Sequence, residues 1–90
     1  MAKHVIKGDG SKVPFDAKKI IKSITKAASD AKLSPEEMNK VVNQVSTNVI
    51  QFAESQDKIK SSQIRDEILT ELDQVAPAVS AEWRKFMNAR

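Results

Sequence analysis

Ser34-Pro35-Glu36-Glu37, followed by apolar residues at Met38, Val41, Val42, Val45, Val49 and Phe52, specifies a long central helix. Ser34 is placed to cap it. Pro35 fits the first helical position, where its missing N–H has no partner to lose, and Glu37 three residues on completes a capping box. The stripe behind it keeps the three-and-four spacing of one helical face to about Glu54. Its β-branched residues have modest helix propensity, so packing must sustain the helix. The rest of the chain has to provide that packing.

On the N-terminal side, Lys3–Lys7 and Lys12–Pro14 read as two short strands around Asp9-Gly10, a pair suited to the positive φ angles of a tight hairpin. Pro14 has no N–H to donate and belongs at a strand edge or end. Asp16 is placed to cap a first helix, in which Ile20, Ile21, Ile24, Ala27 and Ala28 recur at helical spacing to about Ala31. After the central helix, Asp57–Lys60 reads as a third strand beside the hairpin. Ser61 or Ser62 is expected to cap a third helix carrying Ile64, Ile68, Leu69 and Leu72. Pro77 opens a fourth, with Val79, Trp83, Phe86 and Met87 at helical spacing. The expected fold class is α+β and mostly helical, a small three-stranded β cap packed on four helices. Residues 1–90 are expected to form one domain. A hairpin alone is marginal in water, so the cap must dock on the helices. That junction is the natural place for a concave site. The apolar stripes are core, and Trp83 and Phe86 are the aromatic residues best suited to a role beyond it.

The 90 residues include no Cys and a single His, which excludes disulfides, thiolate metal sites, cysteine nucleophiles and multi-histidine centres. No apolar run has the length of a membrane span and no signal-peptide pattern leads the chain, so a soluble cytoplasmic protein without a membrane partner is expected. Gly8-Asp9-Gly10-Ser11-Lys12-Val13 fails the dinucleotide pattern, which needs a third glycine where Val13 stands and a helix directly after the first strand. The Walker pattern is absent. Glu36-Glu37 and Asp66-Glu67 are adjacent pairs that diverge on a helix, and neither Ser61 nor Ser62 has a histidine nearby. Nothing here makes or breaks a covalent bond, and the chain is not expected to be an enzyme.

Charge distribution points to binding instead. Residues 1–32 carry eight lysines against three aspartates, while residues 33–90 carry seven basic and nine acidic residues, for a net +3. Lys18 and Lys19 fall in the first turn of the first helix, where the helix dipole favours acidic residues. An anion docked beside that turn would satisfy both the lysines and the free N–H groups.

Taken together, Lys7-Gly8-Asp9-Gly10-Ser11, Val13-Pro14-Phe15-Asp16 and Lys19-Ile20 resemble the opening of the ATP-cone, the regulatory nucleotide-binding domain of many ribonucleotide reductases and of a bacterial repressor of reductase genes. The likeness continues through the capped second helix and Ile59-Lys60-Ser61-Ser62-Gln63-Ile64 to Trp83 and Phe86. The resemblance implies a non-catalytic allosteric sensor that binds ATP or dATP under the cap, with Mg2+ accompanying the triphosphate. It places Val5 and Lys7 in the pocket, with Lys7 on the phosphates. Val13, Phe15 and Asp16 would meet the adenine, and Lys19 the phosphates or ribose. Ser61 and Arg65 would lie near sugar and phosphates, and Phe86 and Arg90 would close the phosphate side. Two positions depart from the family: Gly8 stands where it usually has arginine, and Val13 where it often has glutamate. The implied partners are a ribonucleotide reductase catalytic subunit or another protein, with nucleotide-dependent oligomerisation. Two alternatives stay open. One is a cone-fold interaction module with weakened or lost nucleotide binding. The other, disfavoured by only three Arg, one Trp and no Tyr, is a small basic nucleic-acid-binding protein.

Overall fold

The computed structural model describes residues 4–88, with side chains as far as Lys85. Its elements run β1 (His4–Ile6), β2 (Lys12–Pro14), α1 (Ala17–Asp30), α2 (Pro35–Glu54), β3 (Lys58–Lys60), α3 (Ser61–Val75) and α4 (Pro77–Asn88). The fold is α+β and mostly helical, as the periodicities predict.

β1 is the middle strand of the sheet. It pairs antiparallel with β2, Val5 opposite Val13, and parallel with β3, Val5 opposite Ile59. A parallel pair needs a long crossover, and α1 with α2 supplies it. The hairpin turn is tied by Lys7 N–H donating to the Ser11 carbonyl and Gly10 N–H donating to the Lys7 carbonyl, both at 2.9 Å. Asp9 Oδ1 accepts from the Ser11 N–H at 2.9 Å and from its hydroxyl at 2.7 Å. Gly10 has φ +89°, a conformation that costs an L side chain about 1–2 kcal/mol. Gly8 is different. Its φ is not positive and a Cβ there would meet nothing within 4 Å, so the backbone does not demand glycine at that position.

Asp16 caps α1, its carboxylate accepting from the Lys18 N–H at 2.9 Å. Ile20, Ile24, Ala27 and Ala28 are buried, but Ile21 is 39% exposed and lies off the core stripe to which its spacing assigns it. The helix ends through Lys32 at φ +61°, with Lys32 N–H donating to the Ser29 carbonyl and Leu33 N–H to the Ala28 carbonyl. This is a Schellman closure built on a lysine instead of the usual glycine. α2 starts with the predicted capping box: Ser34 Oγ accepts from Glu37 N–H at 3.3 Å, and Glu37 Oε1 accepts from Ser34 N–H at 3.4 Å. Its core face is Val41, Val45, Ser46, Val49 and Ala53.

The expected serine cap of α3 is corrected. β3 passes into α3 without a loop, so Ser61 is already helical and Lys60 is the capping residue. Gln63 Oε1 reaches back to accept from the Lys60 N–H at 2.9 Å, satisfying the junction from inside the helix. Ala76 separates α3 from α4, and its carbonyl accepts from Val79 and Ser80 N–H. A clasp joins the two helices. Asp73 accepts from Arg84 through two oxygens at 3.0 Å each and from the Ser80 hydroxyl. The Arg84 guanidinium, then Ser80, holds the Asp73 carboxyl below its ordinary range.

The helices form one core, with α1 and α3 each packed on both α2 and α4. It includes Ile24, Val45, Val49, Leu72, Val79 and Trp83. A smaller cluster of Ala53 and Ile59 lies under the sheet, flanked by Val5 and Phe52. Phe15 and Ile64 pack against both clusters and join cap to body. Among the described residues, no helix is long and apolar enough to cross a membrane.

Candidate functional site

Three adjoining clefts open where the hairpin meets α1 and α3. The first, of about 460 Å³, is walled by Val5, Val13, Pro14, Phe15, Ile20 and Ile64, with Lys7, Lys19 and a single carboxylate, Asp16, at its edge. The second, of about 420 Å³, shares Lys7, Lys19 and Ile64 with the first and adds Gly8, Ser61, Arg65, Ile68 and Trp83. The third, of about 330 Å³, shares Lys7, Gly8, Ser61 and Arg65 with the second and adds Ile6, Lys60 and Ser62. The clefts therefore form a row with a gradient of chemistry. One end is apolar with one acceptor group; the other has cations and hydroxyls and no carboxylate.

Local structure explains each placement. β1 directs Val5 into the first cleft from the sheet, and the hairpin brings Val13 opposite it. Asp16 is fixed at the mouth by its own capping bond, which engages one oxygen and leaves the other able to accept. Lys19 follows one turn into α1. Because β3 runs directly into α3, Ser61 and Arg65 come to the cleft within one helical turn of the sheet. Among the described residues, none of Lys7, Lys19, Lys60 and Arg65 has a carboxylate ion-pair partner; the ion pairs are Lys26 with Asp30, Arg84 with Asp73 and Lys85 with Glu82. Four cations without a carboxylate partner among the described residues border one row of clefts, and an anion docked there would be attracted to each of them. At the hairpin tip, the Ser11 hydroxyl and N–H lower the Asp9 carboxyl, which keeps it ionised and occupied locally.

Of the site residues expected from sequence, Val5, Lys7, Val13, Phe15, Asp16 and Lys19 line the first cleft, while Ser61 and Arg65 line the second and third. The Phe86 side chain and Arg90 lie outside the described residues. Sequence reasoning missed Ile64, Ile68 and Lys60. Ile64 and Ile68 follow from Ser61 and Arg65 by the i, i+3, i+4, i+7 rule for one helical face, a signal that was present but unused. A separate cavity of about 420 Å³, lined by Leu33, Glu37, Val41, Val75 and Pro77 among others, shares no residue with this row. Among the described residues, no group of three or more His, Asp or Glu side chains could hold a metal ion.

The ATP cone domain family matches residues 3–87, which takes in every element described above except the last residue of α4. The chain belongs to the ATP-cone family. A further likeness is to the transcriptional repressor NrdR of Pediococcus pentosaceus, 41% identical over 76 residues. That alignment takes in 80% of this chain and 46% of the repressor, so the chain matches about half the length of this relative. ATP-cone domains are regulatory and bind adenine nucleotides. Family membership thus places a nucleotide-sensing regulatory domain on the fold, and Lys7, Lys19, Lys60 and Arg65 border its row of clefts.

Proposed function

We propose that this ATP-cone binds ATP or dATP along the row of clefts, as a non-catalytic allosteric sensor. The observation that carries the reading is the gradient itself: an apolar cleft with one carboxylate continues, through the shared Lys7 and Lys19, into a carboxylate-free cationic one. A nucleotide has the same polarity, a flat base at one end and a polyanion at the other. The base lies among Val5, Val13, Phe15, Ile20 and Ile64, and the free oxygen of Asp16 accepts from the adenine amino group. Guanine presents a carbonyl at that ring position, so Asp16 selects against it. Lys7, Lys19, Ser61 and Arg65 meet the sugar and phosphates. Mg2+ accompanies the triphosphate through phosphate oxygens and water, as this ion commonly does.

The signal is read by a partner, either a ribonucleotide reductase catalytic subunit or, as the name of the repressor relative suggests, a transcriptional assembly on DNA. The latter keeps nucleic acid open as an indirect partner despite the few arginines in this sequence. A second reading, a cone-fold module that binds protein without nucleotide, draws support from Gly8 and Val13, where arginine and glutamate are usual in the family. Each missing charge-assisted bond costs about 1.5–3 kcal/mol, or about one to two decades in affinity. Calorimetric titration with ATP, dATP, GTP and inorganic triphosphate separates the readings. Saturable binding of adenine nucleotides in preference to GTP supports the sensor, equal binding of every polyphosphate contradicts Asp16 as a base reader, and no binding supports the second reading. Gly8→Arg, for which the backbone has room, is expected to tighten ATP binding by about tenfold.

A further inference from the structure

Trp83 lies on α4, 3% exposed, and forms a wall of the cationic cleft with Lys7, Lys19, Ser61 and Arg65. Its Nε1–H is buried and has no hydrogen-bond partner among the described residues. Buried indole N–H groups usually find an acceptor, and one left unmet carries a desolvation cost. Packing alone does not call for it, because phenylalanine would fill much of the same space without a polar atom. Among the described residues, the other buried polar atom without a partner is Ser46 Oγ, and Ser46 borders none of the clefts. The cleft offers Trp83 no carboxylate, and its charged side chains are all donors. A ligand oxygen brought to this wall would meet an unspent donor.

We propose that the Trp83 Nε1–H donates a hydrogen bond to an oxygen of the bound nucleotide, phosphate or ribose, making Trp83 a ligand-binding residue of the sensor. This rests on the nucleotide reading above. The position of the ring is already fixed. Arg84, the next residue, is held by the carboxylate of Asp73, and Ser80, one turn earlier, bonds to the same carboxylate. This clasp holds α4 on α3, the helix that brings Ser61, Ile64, Arg65 and Ile68 to the same cleft. Because that Nε1–H is buried, a ligand oxygen reaches it as the neighbouring wall residues move aside, and occupancy of the cleft then bears directly on the α3–α4 pair.

The sequence contains one Trp and no Tyr, so a single indole N–H resonance and a single fluorophore report on this residue alone. The test is an NMR titration of the wild-type chain with ATP that follows the indole N–H together with the backbone amides of Val5 and Lys19. Calorimetry of Trp83→Phe runs beside it. The indole resonance is expected to shift saturably with the same constant as the amides, and Trp83→Phe to bind ATP about tenfold more weakly. Parallel titrations with inorganic triphosphate and with adenosine assign the acceptor to phosphate or to ribose. If the amides of Val5 and Lys19 respond while the indole resonance stays still, the Trp83 proposal is overturned and the nucleotide reading stands. The wild-type resonance decides this even if the variant does not fold. A folded Trp83→Phe that binds ATP within about twofold of wild type overturns it equally. If no adenine nucleotide binds at all, both readings fall.

Discussion

Among the described residues, the helical body is held by eleven buried side chains drawn from all four helices, whereas the strand cap closes over two, Ala53 and Ile59, and borrows Phe15 and Ile64 to dock. The body contains its own core. The cap consists of three strands of three residues each, too little to stand alone, and its order depends on the surface it covers. The row of clefts lies at that seam. A ligand bridging the two regions adds contacts where the fold has fewest, and the less stable partner gains most from it.

Substitutions in the two cores are expected to have the largest effects. Ile24→Ala, at a fully buried position of the body, is expected to cost about 2–5 kcal/mol and to lower the melting temperature of the whole fold. Ile59→Ala, nearly as buried in the cap, should instead release hydrogen-exchange protection in β1 and β3 while α2 amides stay protected. Equal loss of protection everywhere would mean that cap and body unfold as one unit.

The hairpin glycines sharpen the contrast on a smaller scale. Gly10→Ala is expected to destabilise by about 1–2 kcal/mol because of its positive φ. Gly8→Ala should be neutral or stabilising by up to about 1 kcal/mol, through the unfolded chain. Chemical denaturation measures both. In the body, Lys32→Gly relieves the left-handed lysine that ends α1 and should add about 0.5–1 kcal/mol.

The smallest effects are those of pH. Asp73 in the body and Asp9 in the cap both titrate below the ordinary 3.8. A carboxyl whose folded value is depressed contributes stability that is present above the unfolded value and lost as pH falls through the folded one. Acid unfolding below about pH 4 should therefore weaken in Asp73→Asn for the helices. In Asp9→Asn it should weaken for hairpin amides alone.

Much of this was legible from sequence, and the reasons differ by element. Ser34, Pro35 and Glu37 satisfy one another within a single turn, so their helix start needed no tertiary information. Asp16 and Gly10 likewise act locally. Three features depend on what lies beside them. Ile21 has the spacing of a core residue, but the stripe is bounded by where α2 and α4 pack, which leaves it 39% exposed. The cap of α3 falls on Lys60 because the parallel pairing of β3 with β1 carries the chain straight into the helix. Gly8 reads as a turn residue beside Gly10, yet only the backbone angles tell the two apart. In the site, the hairpin and α1 residues are close in sequence and were found together. The α3 wall and Trp83 join them only through the four-helix packing.

Binding of adenine nucleotides across the seam between cap and body underlies the proposed function. An amide NMR titration with ATP, dATP and GTP, at low and at physiological salt, tests it most directly. Saturable shifts concentrated in Val5–Lys19 and Ser61–Arg65 are expected with ATP and dATP, weaker with GTP and persisting at the higher salt. Shifts that vanish with salt, or that appear on helix faces away from the seam, would contradict it.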